Sequence, residues 1–213
     1  MAQDGGPAWI IVAGPNGAGK TTIAHLGPGG ILRTFLSGND VRRLNADDRA
    51  RALEAEGQPR SAATNLIAAQ QIDAELEAAL TERRSVVVET VLSSNKYRRL
   101  VRRARAGDFN IVLVYVCLRS PALAKRRVAL RVKSGGHNVP ADRIERRWSS
   151  SLENLEWFGV RADAVYVFDN SNEDGGPVLL FSRIGKERHA PGLDDETLPA
   201  PIARRLRAID KTA

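Results

Sequence analysis

The 213-residue chain is 43% apolar but only 5% aromatic, so a core of ordinary size must be built from Ala, Val, Leu and Ile. Its net charge of +7 and pI near 10.1 suit an anionic partner: a nucleotide, a sugar nucleotide, a nucleic acid or an acidic protein. A single cysteine, Cys117, excludes a disulfide framework and a Cys/His metal cluster, and no apolar run approaches the ~20 residues of a membrane span.

In chain order, residues 8–13 read as a short buried strand, followed by a Gly-rich turn and a helix to about Leu26 that Gly27-Pro28-Gly29-Gly30 breaks. Residues 31–37 are expected to form a second strand ending at Gly38-Asn39-Asp40, before a polar, Arg-rich stretch to about Arg60. Over 61–80, Leu66, Ile67, Ile72, Leu76 and Leu80 are spaced like one face of a helix. The continuous β-branched run 85–89 reads as a strand buried on both faces, as in parallel sheets. An amphipathic helix is expected over 95–106 with Gly107 at its end, then a buried strand over 110–118 in which Cys117 is a small core residue. Two basic helices, 120–133 and 141–154, flank the break at 134–140. Residues 164–168 read as a further strand ending in Asp169-Asn170-Ser171, 172–177 as hairpin chemistry, 178–182 as an antiparallel strand, and 201–209 as a short helix. This alternation predicts an α/β fold with a mostly parallel central sheet, flanking helices and a helical lid. It is read as a single domain over 1–213: a core at 8–185, a lid at about 120–150 and a C-terminal extension at 186–213.

The run Gly14-Pro15-Asn16-Gly17-Ala18-Gly19-Lys20-Thr21 matches Gly-x-x-x-x-Gly-Lys-[Ser/Thr], the P-loop, in its strand–turn–helix setting. The glycines let backbone N–H groups converge on phosphate oxygens, and the helix N-terminus adds its positive end. Lys20 can reach the β- and γ-phosphates, the Thr21 hydroxyl can ligate Mg²⁺, and Thr22 extends the cradle. A nucleoside triphosphate with Mg²⁺ is therefore the expected cofactor. Ligands in such sheets sit beyond the carboxyl ends of the strands, where Asp40, Glu89 and Asp169-Asn170 are expected to converge.

Phosphoryl transfer needs a group that orients the acceptor and cations over the γ-phosphate. By spacing alone, Asp40 is either a base for a substrate hydroxyl or the N-cap of a helix over 41–44. Glu89, ending a buried strand, reads as a Walker-B-like group or a substrate contact, with Thr90, Ser93 and Ser94 beside it. Arg126, Arg127, Arg131 and Lys133, then Arg143, Arg146 and Arg147, frame Gly135-Gly136-His137 like a Gly-hinged lid that could supply an arginine finger. His137 is either a phosphate donor or a surface histidine.

Taken together, residues 13–22, Val88-Glu89-Thr90, Arg127-Val128 through Arg131-Val132, Gly135-Gly136-His137-x-Val139-Pro140 and Asp169-Asn170-Ser171 resemble the small zeta-toxin-like P-loop kinases over roughly residues 8–185. That resemblance implies a kinase that phosphorylates the amino-sugar 3′-hydroxyl of UDP-N-acetylglucosamine with ATP or GTP, the toxin of a toxin–antitoxin pair. It implies Asp40 as catalytic base, Glu89 and Thr90 as acceptor contacts, Arg131 and Arg127 as lid cations and His137 near them. It also implies Asp73 on the sugar-nucleotide side and Asn170 by the nucleobase. Val91 stands where the family usually has a second hydroxyl, and 45–60 departs from its pattern, both on the substrate side. Rival acceptors are NAD, an antibiotic or another small metabolite. A nucleic-acid end kinase or RNA-binding ATPase is the rival suggested by pI, though aromatics for base stacking are scarce. The N-terminal Met-Ala-Gln-Asp-Gly-Gly-Pro has no basic region before an apolar stretch, so the cytoplasm is the expected location.

Overall fold

The computed structural model describes residues 6–25, 41–136, 139–173 and 175–212. Seven strands form one sheet: β1 (Ala8–Ala13), β2 (Arg42–Asn45), β3 (Val86–Thr90), β4 (Asn110–Cys117), β5 (Ala164–Asp169), β6 (Val178–Ile184) and β7 (Glu187–His189). Their order is β2-β3-β1-β4-β5-β6-β7. The first five strands run parallel, and β6 and β7 add an antiparallel edge. Every residue of β1 is buried, and the period-2 geometry of a strand sends its side chains to opposite faces. Trp9, Ile11 and Ala13 join the larger core cluster, whereas Ala8, Ile10 and Val12 join a smaller one with Val87, Val112, Val114 and Tyr166. A strand covered on both sides must be apolar throughout, which is why this run is legible without alternation.

The helices are α1 (Lys20–His25), α2 (Ala46–Ala55), α3 (Ala62–Thr81), α4 (Arg98–Ala106), α5 (Pro121–Lys133), α6 (Ala141–Gly159) and α7 (Ala200–Asp210). Side-chain oxygens start three of them, satisfying first-turn amides: Asn45 accepts from Asp47 N, Ser61 from Thr64 N and Ser120 from Leu123 N. Helix α6 outruns its expected end because Leu155 and Phe158 continue its buried stripe. No helix among the described residues is long and apolar enough to cross a membrane. Cys117 is buried, and burial pushes its thiol well above the usual range, as befits a core residue.

One expectation lies outside the described residues, and two others are refined. The strand expected over 31–37 and the residue Asp40 lie outside the described residues. Residues 42–45, read in one alternative as a helix capped by Asp40, are instead extended as β2, with Leu44 buried opposite Val88 and both arginines exposed at the sheet edge. The extension at 186–213 is woven into the core: Leu198, Ile202, Leu206 and Ile209 are buried in the larger cluster. Buried Arg183 donates to the carbonyls of Gly159 and Ala162 at 2.8 and 2.7 Å, closing the end of α6 from β6.

Candidate active site

The turn after β1 is held open by three glycines with positive φ: Gly14 at 147°, Gly17 at 77° and Gly19 at 82°. A side chain on Gly14 would overlap the carbonyl oxygen of Val116 in β4, and one on Gly19 would press on the Asn170 amide. Asn170 Nδ2 donates to the carbonyl of Ala18 at 2.9 Å, so the end of β5 braces the loop. Lys20 Nζ donates to the carbonyl of Pro15 at 3.2 Å, across the cradle a phosphate would fill.

Beside β1, strand β3 delivers Glu89 to the start of α1. Thr21 Oγ1 donates to the two Glu89 oxygens at 3.0 and 3.1 Å, and Asn45 Nδ2 donates to one of them at 3.0 Å. Asn45 ends β2, and its own Oδ1 accepts from Asp47 N at 2.8 Å, which starts α2 with Asp47 in the first turn. A cleft of about 660 Å³ joins Lys20, Thr21, Asp47 and Glu89 to an outer wall from α3, the 91–94 loop, Lys96 and Tyr97. Thr90 belongs to that cleft, with its hydroxyl accepting from Leu92 N at 3.1 Å.

Helices α5 and α6 supply the cations. Arg127 and Arg131 from α5, and Arg143 and Arg147 from α6, line the cleft, each pair one helical turn apart. Neighbouring cations point elsewhere: Arg126 pairs with Glu173, Arg146 with Asp142 and Lys125 with Glu145. Gly135 and Gly136 have a local task beyond any hinge. With Gly135 at φ 84°, Gly136 N donates to Arg131 O at 2.9 Å and Gly135 N to Val132 O at 3.0 Å, the paired bonds that close a helix in a Schellman motif.

Charges in the cleft perturb one another. Burial is the largest influence on the Lys20 amine and lowers its pKa; Glu89 and Asp47 oppose this, and Arg131 and Arg147 add to it. Burial is also the main reason the Glu89 carboxyl is raised, against Lys20 and the Thr21 hydroxyl, with Asp47 and Asp48 pushing the same way as burial. Burial, then Arg143, lowers Arg147, with Asp47 opposing. Asp47 is thus the carboxylate that Lys20, Glu89 and Arg147 all feel. The Thr21 hydroxyl and Glu89 carboxylate are hard oxygen donors side by side, a set that fits Mg²⁺ with its remaining positions left to phosphate and water.

A pH dependence follows with a defined sign. A carboxyl with a raised folded pKa stabilises the free protein below the ordinary glutamate value, and that contribution is lost as pH rises through the raised value. Metal binding needs the ionised form. Glu89→Gln is therefore expected to raise the melting temperature of the free protein at neutral pH while weakening Mg·ATP binding. In the wild type, Mg·ATP affinity should fall as pH drops through the raised Glu89 value, and this fall should flatten in the variant; titration calorimetry over a pH series checks both.

Of the other sequence-predicted residues, Asp73 is engaged by Lys96 at 2.7 and 3.0 Å and by Tyr97 Oη at 3.2 Å, and those partners rather than Asp73 line the cleft. His137 lies outside the described residues, as does Asp40. Sequence reasoning did not single out Asp47 and Asn45, whereas Arg143 and Arg147 were among the cations expected around the 134–140 break. A signal for the first two was present: Asn45-Ala46-Asp47-Asp48 after Leu44 is a helix N-cap followed by an acidic first turn.

A family model described as an AAA domain matches residues 10–156. No curated protein matches the chain. Among solved structures it is similar to the AvrRxo1-ORF1:-ORF2 complex with ATP, with a TM-score of 0.67, 16% identity, and 100% of this chain and 78% of that chain covered. A chain from the PezAT chromosomal toxin–antitoxin system of Streptococcus pneumoniae gives a TM-score of 0.56 at 15% identity, covering 94% of this chain and 78% of that one. The Pnkp1/Rnl/Hen1 RNA repair complex gives 0.53 at 18% identity, covering 84% and 50%. At such identities the likeness is one of fold.

Proposed function

The chain belongs to the AAA-domain family over residues 10–156, and from that premise we propose that it is a P-loop kinase moving the γ-phosphoryl group of ATP or GTP to a hydroxyl of a small anionic metabolite. The observation that carries this reading is the single cleft in which the P-loop, two carboxylates and four lid arginines meet an outer wall spacious enough for a second substrate. An ATPase acting on water alone has no need of that wall.

Residues 14–22 cradle the phosphates, and Lys20 spans the β- and γ-groups. Thr21 and Glu89 would hold Mg²⁺, which when bound neutralises charge on the phosphate oxygens. Asp47 accepts the proton of the acceptor hydroxyl; it follows the strand paired with β3, lines the cleft and faces the γ-phosphate side through Lys20 and Arg147. Asp47 thereby takes the role that the family resemblance gave to Asp40. Arg131 and Arg127, with Arg143 and Arg147, offset charge on the transferring group. Thr90 and the 91–94 loop contact the acceptor, and Asn170 braces the loop on the nucleoside side.

Lys20 and the four arginines outnumber Asp47 and Glu89 among the described residues lining the cleft, an excess suited to an acceptor bearing phosphate, whereas Lys96 is balanced by Asp73. UDP-N-acetylglucosamine is the first choice, from the zeta-toxin-like motifs. A toxin role with a protein antitoxin over the cleft goes with that choice. Incubation with γ-labelled ATP, Mg²⁺ and separately UDP-N-acetylglucosamine, NAD and a 5′-hydroxyl oligonucleotide tests it. Label on the sugar nucleotide is expected. Label on NAD or the oligonucleotide instead would replace the acceptor, and label on none, with ATP bound, would remove the kinase reading.

A further inference from the structure

Helix α6 does two things with one stripe. Arg143, Arg147, Ser151 and Asn154 follow one another at intervals of four, four and three residues, so they share a face. The first two reach the cleft. The second two are buried, Ser151 at 0% and Asn154 at 3% exposure, and both are spent on the backbone of the loop that follows β3. Ser151 Oγ donates to Val91 O at 2.7 Å and also meets the Tyr115 hydroxyl at 2.8 Å. Asn154 Nδ2 donates to Leu92 O at 2.9 Å and to Ser94 O at 3.4 Å, while its Oδ1 accepts from Arg98 Nη2 at 3.0 Å.

That loop needs holding. Leu92 has φ 57°, a left-handed conformation unfavourable for a Cβ-bearing residue, and its amide bond to Thr90 Oγ1 restrains it from within. Three of its carbonyls are satisfied by α6 rather than by a neighbouring strand. The same loop forms the acceptor wall of the cleft.

We infer that Ser151 and Asn154 are positioning residues which register the acceptor loop 91–94 against the lid arginines on the same helix. This rests on the kinase reading of the cleft. They touch neither substrate. Their effect passes through the loop, so it belongs to acceptor binding and not to the nucleotide. A helix that moved its arginines would move the acceptor wall with them, coupling the two halves of the cleft through a single rigid element.

Asn154→Asp isolates the bond set, because the carboxylate keeps the Arg98 partner but has no N–H for Leu92 and Ser94. In the full-length variant, amides of 91–94 are expected to exchange at least about tenfold faster while those of 14–22 keep wild-type protection. With UDP-N-acetylglucosamine as acceptor, KM for it should rise at least about tenfold, with kcat within about threefold and KM for ATP within about twofold. Ser151→Ala, which removes one of the three bonds to the loop together with the Tyr115 contact, should move the same quantities in the same direction by less. Unchanged protection at 91–94, or KM for ATP rising in step with that for the acceptor, would overturn the inference. If the wild type phosphorylates neither UDP-N-acetylglucosamine nor NAD, the acceptor reading fails by itself, and the exchange pattern, which requires no acceptor, still decides whether Asn154 holds the loop.

Discussion

An Asp47→Asn protein is expected to bind ATP as the wild type does and to transfer phosphate at least about 10²-fold more slowly, the usual contribution of a positioned general base. Three features single out this carboxylate. It stands in the first turn of α2, directly after the strand that pairs with β3. It lines the cleft with Glu89 but is free of the Thr21 and Asn45 hydrogen bonds that occupy Glu89. Its charge also acts on Lys20 and Arg147, the cations proposed to meet the phosphates. Asparagine keeps the size, and the helix cap survives because Asn45 accepts from the Asp47 backbone amide, not its side chain. Loss of one first-turn charge costs the helix only about 0.3–1 kcal/mol. A low kcat at an unchanged melting temperature and unchanged ATP affinity thus reports chemistry. The parallel Asp40→Asn variant discriminates: near wild-type transfer there assigns the base to Asp47, while wild-type transfer in Asp47→Asn with a crippled Asp40→Asn would return it to Asp40.

The contrast between Asp40 and Asp47 shows where the sequence is legible. Strands β1, β3, β4 and β5 are buried on both faces, so each reads as an unbroken apolar run. Together with the P-loop they are enough to specify the α/β class and the end of the sheet where the cleft lies. Strand β2 has four residues, two exposed arginines and one buried side chain, Leu44, so neither period nor composition marks it. The sequence reading placed its second strand at 31–37 and its carboxylate at Asp40, both outside the described residues. Partners far apart in sequence were equally hidden. Arg119 pairs with Asp169 at 2.6 Å and with Asp195 at 2.7 Å and donates to Thr197, tying the C-terminal segment to the end of β5 beside the P-loop brace Asn170. Nothing local to any of those residues announces the others. Asp73 differs: its helix was legible, although Leu66 and Ile67, expected on the apolar face, are exposed, and the neighbouring Lys96 and Tyr97 engage its oxygens. The Gly135-Gly136 pair was visible as a break, and only backbone geometry shows that it caps α5 and so fixes where Arg131 ends up.

Gly14→Ala is expected to abolish ATP binding and to lower stability by about 3 kcal/mol or more, a melting shift of roughly 6–12 °C for a chain of this size. The added methyl would coincide with the carbonyl oxygen of Val116 and lie 3.1 Å from its carbon, at a residue whose φ of 147° already disfavours any side chain. The obstacle cannot give way. Val116 is fully buried in β4, pairs with Phe168 of β5, and is backbone at the point of collision. Relief must come from the loop, which would turn its amides away from the phosphates, so even a protein that stays folded loses the cradle. Gly135→Ala is the control: its φ of 84° is also left-handed, but nothing stands within 4 Å of the new methyl. That change should cost only about 1–2 kcal/mol and leave ATP affinity intact. Thermal melts and fluorescent-nucleotide titrations of the two variants separate steric collision from conformational preference. Wild-type ATP affinity in Gly14→Ala would mean that the phosphates do not rest on the loop between β1 and α1.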